Sequence, residues 1–181
     1  AWLFNLRGAD VSYNPVFLAH ALIGMDRATL FVGAGKIDAA LTARLKLDGI
    51  EVADYAQALP ALAGLPPGSR ILIDPRRITL GTANAIAKGI ERVEQMNPTT
   101  LAKSQKNANE IGNWRQAMEQ DGAALCEFFA WLEGALTAGE KISEILIDEK
   151  ITTARARRPN FVCPSFGTIA GWNGNGAMPH Y

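Results

Sequence analysis

The first 97 residues alternate short β-prone runs with short helix-favouring runs, and this alternation limits the possible folds more than any other feature. Short β-prone runs predict strands at residues 2–6, 16–18, 29–32, 50–53, 70–73 and 91–95. Alanine-rich stretches predict helices between several of them, at residues 37–47, 57–63 and 82–88. Strands that alternate with helices are typical of an α/β domain.

The balance of charge argues against two kinds of partner. The 181 residues include 18 basic and 18 acidic side chains, whereas a surface for nucleic acid or anionic membranes needs a net basic face. No apolar run approaches the roughly 20 residues of a membrane helix, and no secretory signal is visible near the start. Two cysteines do not make a disulfide framework, so we expect Cys126 and Cys163 to be buried thiols of a cytoplasmic protein.

Two short patterns in the first half could be mistaken for functional sites. The run Gly33-Ala34-Gly35-Lys36 lacks the spacing of a phosphate-binding loop, and an isoleucine follows its lysine in place of Ser or Thr. We interpret this run as a simple turn. His20 has apolar neighbours and no nearby Cys, His or carboxylate, so a packed or edge histidine is favoured over a metal ligand.

A change of composition at Asn97-Pro98 predicts a boundary between a domain of residues 1–97 and a domain of residues 98–181. A long helix opens the second domain, because Asn107 and Glu110 have the spacing of a capping box. Apolar side chains then recur along one face for about six turns, and we assign this stripe to packing. Its members are Ile111, Trp114, Met118, Leu125, Phe129 and Leu132.

A second helix is predicted from the N-cap Ser143 to a basic end that precedes Pro159. The basic residues there suit the negative end of the helix dipole, although an anion-binding role is an alternative: Arg155, Arg157 and Arg158. The chain continues with a strand-like pair at residues 161–162. The Asn-Gly pairs of residues 173–176 predict a tight turn that gives His180 a definite direction.

Several of these segments together resemble one enzyme family, aminopeptidase P, also called Xaa-Pro aminopeptidase. WLFNLRGADV at residues 2–11 and NPVF at 14–17 resemble the start of the family's middle domain. The entry and first long helix of the family's catalytic domain are similar to four later segments: Lys103, the Lys-Asn pair at 106–107, the Glu-Ile pair at 110–111 and ALCEFFAWLE at 124–133. The segment from Pro164 through NGA at 175–177 to His180-Tyr181 resembles its first active-site segment.

The resemblance implies a fold and an activity. The first domain would be a creatinase N-terminal-like, ribonuclease H-like mixed-sheet α/β domain, and the second an incomplete α+β pita-bread domain. Members remove the N-terminal residue of a peptide whose second residue is proline, using two metal ions, usually Mn²⁺. The family's metal ligands follow the His-Tyr motif, so the resemblance implies none in this chain, nor any other cofactor-binding residue. Relatives are often homodimers.

His180 matches the family's substrate-side histidine, which binds the peptide and supports the transition state. The resemblance therefore predicts that the chain is a fragment of such an enzyme, inactive alone. From the uncovered apolar stripe and unpaired strand edges of such a fragment, we expect it to self-associate or to have a mobile C-terminal region. Two alternatives stay open at this point. One is a non-catalytic, creatinase-like binding module, and the other is one half of a split peptidase completed by a second chain.

Overall fold

The computed structural model describes residues 1–178. The chain divides into two compact units. The first consists of Ala1–Val11 and Pro15–Gln105, and the second of Ser12–Asn14 and the residues from Lys106 onward. The domain boundary predicted after Asn97 stays a prediction.

A three-stranded mixed sheet forms one part of the first unit. Its strands are β1 (Ala19–Ile23), β2 (Ala28–Val32) and β3 (Ile50–Asp54), in the order β1-β2-β3. β1 runs antiparallel to β2, and β2 runs parallel to β3. Helix α1 (Ala39–Leu47) makes the crossover between the two parallel strands, as parallel pairing requires. The central strand β2 is the most buried, with three consecutive buried residues at its end: Leu30, Phe31 and Val32.

A second, two-stranded parallel sheet contains β4 (Arg70–Ile73) and β5 (Glu91–Glu94). Helix α2 (Ala58–Ala63) precedes β4, helix α3 (Leu80–Ala85) connects the two strands, and α4 (Pro98–Ser104) follows β5. The core of this region is a cluster of buried aliphatic side chains, each of which stabilises the fold by about 1.5–3 kcal/mol on burial: Leu62, Ile73, Ile86 and Ile90. The predicted strands at 29–32, 50–53, 70–73 and 91–95 are thus confirmed within one residue at each end.

The second unit is built on two helices, α5 (Ala108–Thr137) and α6 (Glu144–Ala156). The capping box predicted for α5 is present, with the Asn107 side chain accepting from the N–H of Glu110 at 2.9 Å and the Glu110 carboxylate accepting from the N–H of Asn107 at 2.9 Å. The Ser143 hydroxyl caps α6 by accepting from the N–H of Leu146. The two helices pack against each other and bury alanine, isoleucine and phenylalanine side chains: Ala124, Phe128, Ala135, Ile151 and Ala154.

The basic end of α6 faces acidic side chains of α5. The guanidinium of Arg155 lies 2.7 Å from the Asp121 carboxylate, and that of Arg158 lies 2.7 Å from the Glu127 carboxylate. Arg157 also pairs with Glu127. The explanation from the helix dipole was therefore incomplete, because interhelical ion pairs also hold the three arginines.

Three predicted strands are absent from the described residues. Residues 2–6 contain instead a 3-10 turn, Trp2–Phe4, because Asn5 adopts a left-handed φ of 50° and ends any extended run. Residues 16–18 precede β1, which begins at Ala19. Residues 161–162 have no regular secondary structure and belong to neither sheet.

The expectations about the cysteines and about the apolar stripe were wrong in part. Both cysteines are exposed, since Cys126 lies two residues from Ala124 and thus on the opposite side of α5. The first part of the stripe is uncovered because residues 111–119 of α5 are exposed on every face, and the buried residues of α5 begin only at Ala124. Trp114 and Met118 are accordingly 64% and 56% exposed. Within residues 1–178, no helix combines the length and apolar character needed to cross a membrane.

Candidate functional site

The predicted active-site segment occupies the end of the second unit. After α6, residues 161–172 run without regular secondary structure, and the chain then forms a 3-10 turn at Asn173–Ala177. Asn173 opens this turn with a φ of 50°, a left-handed conformation that asparagine tolerates better than most residues. The tight turn predicted from the Asn-Gly pairs is confirmed. His180, the catalytic residue predicted from the sequence, lies outside the described residues.

A single carboxylate oxygen holds this turn. Oε1 of Glu144 accepts from the backbone N–H of Trp172 at 2.9 Å and from Nδ2 of Asn175 at 2.8 Å. Glu144 is the first residue of α6, where the positive end of the helix dipole favours a negative side chain. The sequence gives no signal of this contact, because its partners lie 28 and 31 residues away along the chain.

Two glycines allow the turn to close. A Cβ at Gly171 would lie 2.9 Å from Cα of Gly176, which is closer than side chains approach a backbone. The absence of a side chain at Gly171 therefore permits direct contact between the two ends of the turn. After the turn, the N–H of Met178 donates to the carbonyl of Asn175 at 3.1 Å.

A charged cleft lies in the first unit, and part of its lining comes from residues 2–11, the segment that resembles the start of the middle domain of aminopeptidase P. The Asp10 carboxylate accepts from the N–H of Leu18 at 2.8 Å and pairs with the ammonium of Lys36. The hydrogen bond from Lys36 and then that from Leu18 lower the pKa of Asp10. The Gly-Ala-Gly run that precedes Lys36 forms a turn, as predicted, and positions this lysine. The cleft measures about 180 Å³ and is otherwise mainly apolar, with Leu6, Phe17 and Leu41 among its walls.

His20 lies on β1, which is an edge strand of its sheet, so the prediction of an edge histidine is confirmed. Its imidazole packs on the ring of Tyr55, with 4.9 Å between the ring centroids. Among residues 1–178, no three His, Cys, Asp or Glu side chains come together as a metal site would require. The described residues therefore do not by themselves fit a metal centre.

The mixed sheet with its crossover helix places the first unit in the α/β class, and a unit built on two helices follows it along the chain. The chain belongs to the Creatinase/Prolidase N-terminal domain family, whose model matches residues 1–110. Residues 112–181 match the model of Metallopeptidase family M24. The family resemblance predicted from the sequence motifs is thus confirmed.

Similar proteins agree with this assignment. The whole chain aligns with a probable Xaa-Pro aminopeptidase P of Coprinopsis cinerea at 38% identity and with one of Laccaria bicolor at 37%. It spans 31% and 28% of the length of these two relatives. Among solved structures, the X-prolyl aminopeptidase of Caenorhabditis elegans, described as a cytosolic enzyme with a di-nuclear active site, matches with a TM-score of 0.86 and 26% identity. That match covers 93% of this chain and 28% of the worm enzyme.

Proposed function

We propose that this chain is part of a metal-dependent Xaa-Pro aminopeptidase, which removes the N-terminal residue of a peptide whose second residue is proline. One observation carries the proposal: the match to the worm X-prolyl aminopeptidase runs through 93% of the chain with a TM-score of 0.86. A likeness of the α/β unit alone would support only a shared fold, since this type of domain can serve several activities. The additional match of residues 112–181 to Metallopeptidase family M24 supports peptide-bond hydrolysis.

Within this proposal, His180 is the residue of the chain that acts on the substrate. It follows the turn Asn173–Ala177 at a distance of three residues along the chain. An imidazole beside the scissile peptide bond can donate a hydrogen bond to the carbonyl oxygen, where negative charge develops during hydrolysis. The resemblance of the surrounding motif supports this role.

The complete enzyme would use two metal ions, which we propose to be Mn²⁺. The di-nuclear site of the worm enzyme supports the number of ions, and carboxylate and imidazole ligands suit manganese. Bound metal ions supply a nucleophile near neutral pH and polarise the peptide carbonyl. Because residues 1–178 do not bring three such ligands together, we propose that other parts of the complete enzyme hold the ions and that this chain alone is inactive.

Two further properties belong to the proposal. The description of the worm relative as cytosolic supports a cytoplasmic location. Homodimer formation by the complete enzyme is proposed from the family resemblance. Neither property is needed for the reaction assigned above.

A comparison of two polypeptides tests the proposal. The complete enzyme that contains this chain and the 181-residue chain alone are stripped of metal with a chelator, reloaded with Mn²⁺ and assayed on an Xaa-Pro peptide. We expect hydrolysis only by the complete enzyme, and a loss of about 10²-fold in kcat when His180→Ala removes one donor to the developing oxyanion. His20→Ala is the matched control, because it removes the other histidine of the chain.

Two results would contradict the proposal. One is tight manganese binding and Xaa-Pro cleavage by the isolated chain, and the other is a complete enzyme without this activity. Sequencing the DNA downstream of the Tyr181 codon separates the alternatives at lower cost. Two aspartates, a histidine and two glutamates in the same frame favour the peptidase, an early stop favours a binding module, and a separate neighbouring frame favours a split enzyme.

A further inference from the structure

The turn at Asn173–Ala177 has little apolar burial to hold it in place. Apart from Trp172 and Asn175, which are half-buried, the residues from Gly171 to Met178 are exposed. The turn also contains two glycines, which lose more backbone entropy on ordering than other residues do. Such a segment needs specific polar contacts if it is to keep one conformation.

Glu144 provides these contacts from the start of α6. Its Oε1 accepts from the Trp172 N–H at 2.9 Å and from Asn175 Nδ2 at 2.8 Å. One carboxylate oxygen therefore joins the residue before the turn to the third residue of the turn. Hydrogen bonds to a carboxylate are roughly twice as strong as those between neutral groups. The N-terminal end of α6 favours the ionised carboxylate and thus the stronger form of both bonds.

The helix itself does not depend on Glu144 for its cap. The Ser143 hydroxyl accepts from the N–H of Leu146 at 3.2 Å and satisfies one of the free donors in the first turn. The side chains of these two adjacent residues therefore have separate partners. Ser143 bonds within α6, whereas Glu144 bonds to a segment 28 residues further along the chain.

We infer that Glu144 is a positioning residue of the active-site segment: its carboxylate fixes the turn that leads to the catalytic histidine motif. The link to catalysis rests on the proposed function, whereas the link to the turn rests on the geometry alone. In this role Glu144 touches neither substrate nor metal. It holds Trp172 and Asn175 in the turn that precedes the motif, and a misplacement of about 1 Å can cost a catalytic group about 10²-fold in rate.

The first arm of the test measures the turn in the 181-residue chain by NMR. We expect Glu144→Ala to raise hydrogen exchange at the Trp172 amide about tenfold or more, since a hydrogen bond to a charged group is lost, and to shift the Asn175 side-chain amide resonances. Glu144→Gln keeps an acceptor oxygen at the same place and should restore most of the protection. Glu149→Gln, on the exposed side of α6, is the matched control and should change neither signal.

The second arm measures catalysis in the complete, metal-loaded enzyme. We expect Glu144→Ala to lower kcat/KM per folded molecule on an Xaa-Pro peptide by about tenfold to 10²-fold, with recovery in Glu144→Gln. Ser143→Ala should lower the thermal midpoint of the helical unit without this loss of kcat/KM. A purely structural role of Glu144 would instead lower the midpoint and leave kcat/KM per folded molecule unchanged.

The outcomes separate this inference from the proposed function. If the wild-type enzyme cleaves no Xaa-Pro peptide, the proposed function is wrong, and the exchange measurement still decides whether Glu144 fixes the turn. If the wild type is active but Glu144→Ala changes neither exchange nor kcat/KM, the inference is wrong while the proposed function stands. Faster exchange with unaltered kcat/KM would likewise overturn the role in positioning.

Discussion

The Asp74 carboxylate accepts a hydrogen bond from the backbone N–H of Asn97 at 2.9 Å, and thereby joins the ends of two neighbouring parallel strands. Asp74 directly follows β4, and Asn97 lies shortly after β5, where its own side chain caps α4 by accepting from the N–H of Thr99. The other carboxylate oxygen accepts from the N–H of Arg76 at 3.1 Å. Among residues 1–178, Asp74 is the charged residue that is buried, and these hydrogen bonds compensate for the loss of hydration of its carboxylate.

The first prediction concerns the stability of this region in acid. The hydrogen bond from Asn97 is the main cause that lowers the pKa of Asp74, while burial opposes it and the N–H of Arg76 supports it. The pKa of Asp74 is lower in the folded protein than in the unfolded chain, where it is about 4. The ionised carboxylate therefore stabilises the fold at pH values above the unfolded-state pKa, and this contribution is lost as the pH falls through the folded-state pKa. Denaturant unfolding at a series of pH values should show this loss below about pH 4.

The Asp74→Asn variant should lose this acid-dependent part of the free energy of unfolding, while Asp26→Asn, at an exposed turn, should retain it. An Asp74→Asn profile that follows the wild type down to pH 2 would show that other carboxylates cause the acid sensitivity.

The second prediction concerns the ion pair of Asp10 and Lys36. Since the hydrogen bond from Lys36 is the largest cause that lowers the Asp10 pKa, Lys36→Met should raise that pKa toward its ordinary value. The N–H of Leu18 remains a donor in this variant and should keep part of the lowering. NMR titration of the Asp10 side-chain carbon measures the change. Lys46→Met on the exposed side of α1 should leave the Asp10 titration unaltered, and an equal effect of both variants would argue against a specific pair.

The third prediction concerns Gly8, where the backbone lies against an aromatic side chain. A Cβ at this position would lie 2.7 Å from Cβ of Phe17, an atom that cannot move without the backbone. Gly8→Ala should therefore lower the free energy of unfolding by about 1–3 kcal/mol. Gly81→Ala is the control, because a Cβ there meets nothing within 4 Å inside α3. Gly81→Ala should leave the free energy of unfolding unchanged or raise it by up to about 1 kcal/mol. Equal effects of Gly8→Ala and Gly81→Ala on this free energy would show that Phe17 imposes no steric limit at Gly8.

The fourth prediction distinguishes two adjacent phenylalanines on α5. Phe128 is 8% exposed and its ring packs near Trp131, whereas Phe129 is 53% exposed. Phe128→Ala should cost about 3–5 kcal/mol of unfolding free energy, because it removes buried aromatic surface and leaves a cavity. Phe129→Ala should cost well under half as much. Thermal and denaturant unfolding measure both, and the reverse order would mean that α5 packs on a different face.

The fifth prediction concerns the exposed apolar stripe at the start of α5. Large side chains that remain in contact with water favour association, so we expect the isolated chain to self-associate as its concentration rises. Replacing Trp114 and Met118 together by Gln should shift the light-scattering mass toward that of a monomer. Lys46→Gln, which alters a polar residue outside the stripe, should not. A clean wild-type monomer at high concentration would contradict this expectation.

The sequence by itself determined the local elements of this protein. The strand at Arg70–Ile73 and the Asn107–Glu110 capping box were predictable because their signals, an aliphatic run and a cap three residues from its partner, act over a few residues. The motifs from residues 2–11 to the segment around His180 likewise identified the family without any geometry.

Only the tertiary structure decided which apolar side chains are covered and which polar groups meet. Cys126 and Trp114 had apolar surroundings in sequence, yet both are exposed. Cys126 lies on the side of α5 away from Ala124 and Phe128, and Trp114 lies in the stretch of α5 that is exposed on every face. The hydrogen bonds from the Trp172 N–H to Glu144 and from the Asn97 N–H to Asp74 join residues 28 and 23 positions apart, and no local pattern encodes such a separation. Long-range contacts depend on how the elements pack, and packing is a property of the whole folded unit.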